Sequence, residues 1–129
     1  MKNWIALGLL LIIIITSCNK HDVLTERHKV TYRIIVYDFD EEFKYILDDP
    51  TGSYNSIKDQ GVCENSMYKS VGDTCFMKVA CRVSNYRVEF VMQILVNGVE
   101  MKSFHYSSDQ CGNKDFEMKY ILFSNQITK

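Results

Sequence analysis

From Val30 to Leu122 the chain alternates apolar and polar residues with a period of two, interrupted by short turn-forming stretches. Alternation of that kind is what a strand with one buried face requires, and it is incompatible with the 3.6-residue stripe of an amphipathic helix. The sequence carries a single proline, Pro50, so little in it would interrupt hydrogen-bonded ladders. Val30, Tyr32, Ile34 and Val36 share one face of a first strand, and Thr31, Arg33 and Tyr37 fall on the other. Phe43, Tyr45 and Leu47 repeat the pattern until Asp48-Asp49-Pro50-Thr51-Gly52-Ser53 ends it with turn chemistry. Tyr54 to Ile57 and Met67 to Val71 read as short edge strands. Cys75, Met77, Val79, Cys81 and Val83 line the next strand, which Ser84-Asn85 is expected to fold back into a partner bearing Tyr86, Val88, Phe90, Met92, Ile94 and Val96. Asn97-Gly98 predicts a type I′ hairpin, which needs positive φ at both central residues. A return strand covers Val99 to Tyr106, and Phe116, Met118, Tyr120 and Leu122 mark the last one.

About seven strands joined by short turns predict an all-β domain over residues 30–129, a single antiparallel β-sandwich of immunoglobulin- or transthyretin-like type. Its four cysteines, Cys63, Cys75, Cys81 and Cys111, read as two disulfides. A zinc site would want a C-x₂₋₄-C pair, which is absent. Cys75 and Cys81 lie six residues apart on one strand, about 20 Å at ~3.3 Å per residue, too far for a bridge. If the Ser84-Asn85 turn and the Asn97-Gly98 hairpin return the chain, Cys111 comes close to Cys81, and Cys63 is left for Cys75. Each bridge would stabilise the fold by roughly 3 to 4 kcal/mol.

Ahead of the domain, Lys2 precedes a Leu/Ile-rich run that closes on Ile15-Thr16-Ser17-Cys18. A basic start, an apolar centre and small residues before a cut form a secretory signal. With a cysteine at the cut it resembles a bacterial lipoprotein signal peptide, here residues 1–17. The resemblance implies a lipid, palmitate included, on Cys18 and export to the cell envelope. An uncleaved spanning helix is the poorer reading, because the apolar stretch falls short of the ~20 residues that crossing needs. Asn19 after the cysteine, in place of Asp, is similar to the default for the outer membrane. Lys20, His21 and Asp22 loosely resemble a surface-export signal, so both a periplasmic and an outward-facing domain stay open. Residues 18–29 are expected to form a flexible tether in which His21 and His28 are solvated.

The formal net charge is −1 with histidine neutral, which excludes a general nucleic-acid binder because such proteins need a strongly basic face. The acidic groups Asp38, Asp40, Glu41, Glu42 and Asp48, Asp49 lack the order of a calcium loop and read as solvated turns at opposite ends of one strand. His105 shares a strand face with Val99, Met101 and Ser103, and the sequence offers it no partner beyond Ser107, Ser108 and Asp109. No catalytic set, metal site or cofactor motif is expected, and the chain reads as a non-enzyme. Amphipathic aromatics at strand ends, Tyr54, Tyr68 and Tyr106 with Tyr37, are candidates for a partner surface. The stretch Tyr54 to Tyr68 is the most favourable place for it.

The segment from Val30 to Phe123 resembles the small exported β-sandwiches of the MmpS type, accessory proteins of large membrane exporters. The similarity lies in Tyr32 to Tyr37 as an opening strand, Phe43-Lys44-Tyr45-Ile46-Leu47-Asp48 as its partner, and Ile94-Leu95-Val96-Asn97-Gly98-Val99 as a late hairpin. A Leu-Pro-Trp segment of that family is missing and the anchor differs, so no functional residue transfers. The resemblance bears on the fold more than on the role, and the leading expectation for the chain is a lipid-anchored, non-catalytic protein that binds or supports another envelope component, such as a transport assembly. The alternative expectation is an inhibitor or immunity lipoprotein that blocks an incoming enzyme or toxin through a protruding loop.

Overall fold

The computed structural model describes residues 26–38, 43–57, 59–81, 87–109 and 112–124. They form eight strands: β1 (Arg27–Asp38), β2 (Phe43–Leu47), β3 (Asn55–Ile57), β4 (Gly61–Ser70), β5 (Thr74–Cys81), β6 (Val88–Val96), β7 (Val99–Ser108) and β8 (Lys114–Ile121). Two antiparallel four-stranded sheets result, sheet A in the order β4-β1-β6-β7 and sheet B in the order β3-β2-β5-β8. Their inner faces meet in one core, so the molecule is the β-sandwich that the alternation predicts. Val30, Tyr32, Ile34 and Val36 of β1 and Val88, Phe90, Met92, Ile94 and Val96 of β6 pack against Phe43, Cys75, Met77, Val79 and Cys81 of sheet B.

The Asn97-Gly98 hairpin forms as read, with φ of 50° and 84°. Asn97 also fixes the start of β1: its Oδ1 accepts from Lys29 N at 3.0 Å, and its Nδ2 lies 2.9 Å from His28 Nδ1. His28 is therefore buried and part of the sheet, not a solvated tether residue, and β1 begins at Arg27.

Pairing differs from the sequence expectation in three places. β5 and β6 are not a hairpin, because β5 runs between β2 and β8 whereas β6 runs between β1 and β7 in the other sheet. Alternation shows that a strand has a buried face; it does not say which sheet receives it. β2 likewise pairs with β3 and β5 and not with the opening strand. The stretch expected to hold two short edge strands contains the three-residue β3 and a ten-residue β4.

These pairings also revise the cysteine reasoning. Cys63 and Cys75 carry free thiols, so the bridge expected between them is not formed. Cys63 sits on the edge strand of sheet A with its Sγ 3.3 Å from the Tyr45 hydroxyl of β2. Cys75 is fully buried on β5, an inner strand of the opposite sheet, near Lys69, which stands about 20 Å along β4 from Cys63 at ~3.3 Å per residue. Cys81 is opposite Lys114 in the β5–β8 ladder, three residues from Cys111 in sequence. Cys111 itself, and with it the second expected bridge, lies outside the described residues, as do Cys18, the signal segment and His21.

Sheet B is covered on both faces along β5. Phe76 and Ala80 point away from the core yet are 2% and 1% exposed. Lys119 Nζ lies 5.6 Å from the centre of the Phe76 ring, and the Asp49–Gly52 turn closes over Ile46. On the outer face of sheet A Leu95 is buried, but the rows from Ile35 to Arg33 are less covered, and among the described residues this face is a broad surface.

Candidate functional site

Two polar assemblies result from this arrangement, one between the sheets and one on the outer face of sheet A. The first centres on Asp48, which follows β2 with φ of 68° and anchors its backbone N to Phe76 O at 2.7 Å. A left-handed conformation is one that Asp tolerates better than most residues. It turns the carboxylate back toward the core, where Oδ1 accepts the hydroxyl of fully buried Tyr32 at 2.8 Å. Lys69, inward-facing on β4, pairs with the same oxygen and donates to Thr74 O at 2.8 Å. One carboxylate thus ties β1 and β4 of sheet A to the end of β2 and the start of β5. The solvated turn expected at Asp48 is instead an inter-sheet clamp.

The clamp leaves its neighbours chemically quiet. Burial pushes the Cys75 thiol up, with nearby Lys69 pulling in the other direction, and a thiol so shifted is a poor nucleophile. Burial first, and the Asp48 carboxylate next, drive Tyr32 ionisation well above the ordinary phenol range. Tyr45 is pushed up to about 12, chiefly by its hydrogen bond with Cys63 and then by partial burial.

The sign of the resulting pH dependence is fixed. In the unfolded chain these phenols release protons near pH 10, whereas the folded protein retains them, so stability is intact below pH 10 and falls as pH rises above it. For Tyr32 the slope is about 1.4 kcal/mol per pH unit. Phenolate absorbance on alkaline titration should therefore rise in two stages, exposed tyrosines first and the remainder together with loss of near-ultraviolet circular dichroism. Tyr32→Phe should flatten the alkaline limb of the stability curve.

On the outer face of sheet A, the residues opposite the core face of β1 stand in rows. Val62, Ile35, Val91 and His105 are cross-strand neighbours in one row; Glu64, Arg33, Gln93 and Ser103 form the next. The polar row is tied together: Arg33 pairs with Glu64 and donates to Gln93 Oε1 at 3.3 Å, and Gln93 donates to Glu100 at 2.6 Å. Thr31 and Ser66 join at 2.8 Å in the row beyond. At the other end Glu89 receives Arg87 at 2.8 Å and His105 at 3.1 Å, and these partners, Arg87 foremost, hold its carboxyl below the usual range. Among these rows Val62 is 62% exposed and Tyr68 65%, with Tyr37 at 52% by the β1 bulge.

Of the three tyrosines expected to share a partner surface, the structure brings no two together. Tyr68 is on the outer face of sheet A, opposite Lys29. Tyr54 is exposed ahead of β3 in sheet B, near Lys78. Tyr106 faces inward, its ring 5.6 Å from Phe90 and 4.5 Å from Phe116, with Lys114 Nζ 5.7 Å above it. His105 does have a partner that the sequence did not suggest, Glu89 on the neighbouring strand, but the pair is a surface contact with the imidazole side chain 57% exposed. Among the described residues no group of three or more His, Cys, Asp or Glu is placed to hold a metal ion. The residues of the outer face that sequence reasoning passed over are Ile35, Val62 and Val91. The signal for the first and last was an apolar residue on the polar side of an alternating strand.

No protein-family model matches this chain, and neither a curated protein nor a solved structure matches it.

Proposed function

We propose that this protein is a non-catalytic, lipid-anchored component of a bacterial cell envelope that holds another envelope protein against the outer face of sheet A. The observation that carries the reading is the face itself, where the apolar row Val62-Ile35-Val91 with Tyr37 runs beside the buttressed polar row of Arg33, Glu64 and Gln93. Val62 and Tyr37 are exposed and Ile35 and Val91 half-buried, and apolar groups so placed beside polar groups already held in place suit recognition, because little side-chain freedom is lost on docking. The arrangement Ile15-Thr16-Ser17-Cys18 supports attachment through Cys18, which would confine the domain to a surface and raise its local concentration. The outer membrane is the membrane proposed.

Cells expressing the full chain should incorporate labelled palmitate into the protein and retain it in the membrane fraction, and Cys18→Ala should lose both. Cross-linked complexes isolated from detergent-solubilised membranes should contain an envelope protein whose recovery falls with Tyr37→Lys or Val91→Lys. Palmitate labelling unchanged by Cys18→Ala, or complexes indifferent to both surface changes, would refute the reading.

A further inference from the structure

The sandwich has four sheet edges, and three of them carry protection against pairing with another chain. β3 is three residues long. β7 is bulged opposite Ile94/Leu95 and directs Lys102 inward to Lys119 O at 3.0 Å. β8 reads Lys-Asp-Phe-Glu-Met-Lys-Tyr-Ile, alternating charge along its length. Short strands, bulges, inward-pointing lysines and edge charges are the devices by which sheets avoid joining edge to edge.

β4 is the least protected of the four, its one inward-facing lysine, Lys69, standing next to the end of the strand. It is ten residues long, pairs with β1 from Arg27↔Ser70 to Val36↔Gly61 without a register shift, and contains no proline. Its two charged residues are occupied: Glu64 by Arg33, and Lys69, turned inward, by Asp48 and Thr74 O. Among the described residues no strand pairs with its outer edge. Val71 N donates to Glu26 O at 3.1 Å, which extends the same ladder by one pair. In an antiparallel ladder bonded pairs alternate, so the odd-numbered residues of β4 bond to β1, while Val62, Glu64, Ser66 and Tyr68 direct N–H and C=O outward.

We propose that a second copy of this chain occupies that edge, two β4 strands pairing antiparallel about a two-fold axis at Asn65 to give one continuous eight-stranded sheet. That register joins the outward-directed backbone groups. It also sets Val62 opposite Tyr68 of the second copy, twice per dimer, bringing together the two most exposed large apolar side chains among the described residues. Glu64 faces Ser66 across the joint. Shifting the axis to Glu64 would set the two carboxylates against each other, a like-charge pair that opposes docking. The outer faces of the two sheets A become one surface. The dimer joint shares Val62 and Glu64 with the surface proposed for the envelope partner, and the two are told apart because that partner is tested at Tyr37 and Val91, away from the β4 edge.

The test uses the full chain in detergent micelles and in lipid vesicles. Sedimentation should give a dimer, and Val62→Lys with Tyr68→Lys should raise its dissociation constant about tenfold or more. Asn65 is exposed, and the non-hydrogen-bonded pair at the axis sets its Cα about 4.5 Å from its symmetry mate, within reach of a disulfide. The oxidised Asn65→Cys variant should therefore give a covalent dimer, with mass spectrometry placing the bridge at position 65 of both copies. A monomer in both media, a dimer indifferent to the lysines, or an introduced thiol joined elsewhere would each overturn the proposal.

Discussion

Replacing Phe90 with alanine is expected to destabilise the domain by about 3 to 5 kcal/mol, the largest loss from any single side chain in this fold. Phe90 is fully buried on β6, and its ring touches both sheets. The centres of Phe43 and Phe116, from sheet B, lie 5.2 and 5.3 Å away in edge-on arrangements, while Tyr106 and Phe104 of β7 lie at 5.6 and 6.5 Å. Aromatic contacts of this geometry add to simple burial. Removing the ring withdraws apolar surface from the core and leaves a void that rigid strands on either side cannot close. Urea unfolding should show the midpoint fall with an unchanged slope, the signature of lost stability without a change in the surface exposed. Phe104→Ala makes the control. It occupies the same cluster at the open margin, 39% exposed, and should cost about 1 kcal/mol. Equal losses at both positions would mean that the aromatic cluster, and not the centre of the sandwich, is the unit of stability.

That Phe90 faces inward was legible in the sequence, since it sits in an unbroken alternation from Val88 to Val96. Its β7 neighbours follow from the Asn97-Gly98 hairpin, but Phe43 and Phe116 come from β2 and β8, and period-two patterning carries no information across the gap between sheets. The same limit explains the cysteines. Cys75 and Cys81 were placed correctly on one strand, but the partner sheet of that strand was assigned by assuming that consecutive strands form a hairpin. Asn97-Gly98 states its own geometry through φ; Ser84-Asn85 does not. β4 was hard to read for a different reason. As an edge strand it has a weakly apolar inner face, with Cys63, Asn65, Met67 and Lys69 where a central strand would show Val or Ile, so the alternation fades although the strand is long. The outer face of sheet A was half legible, through Ile35 and Val91 standing where polar residues were due.

Asp48→Asn is expected to cost about 2 kcal/mol and to lower Tm by roughly 10 °C, although the change replaces one oxygen with nitrogen. Asn suits the left-handed backbone at this position as well as Asp does, so strain at φ of 68° is not the cause. The loss comes from Lys69. Its side chain is 11% exposed, and with the carboxylate gone its ammonium keeps Thr74 O but loses its counter-charge. The Asp48 side chain is 32% exposed, so water offsets part of the attraction, and the cost falls below that of a fully buried pair. Lys69→Met should be milder, about 1 kcal/mol, because the stranded carboxylate still accepts the Tyr32 hydroxyl and can turn toward solvent. Asp48→Asn combined with Lys69→Met should be more stable than Asp48→Asn alone, since the second change removes the unpaired charge created by the first. A cycle of the four proteins measured in urea gives the coupling directly, with about 1 to 2 kcal/mol expected. Simple additivity would mean that the ammonium reaches water without Asp48, and that β4 is held to sheet B by core packing alone. A strong coupling means that the clamp fixes β4 at its Ser70 end, and a β4 held straight is the edge that a second copy could pair with.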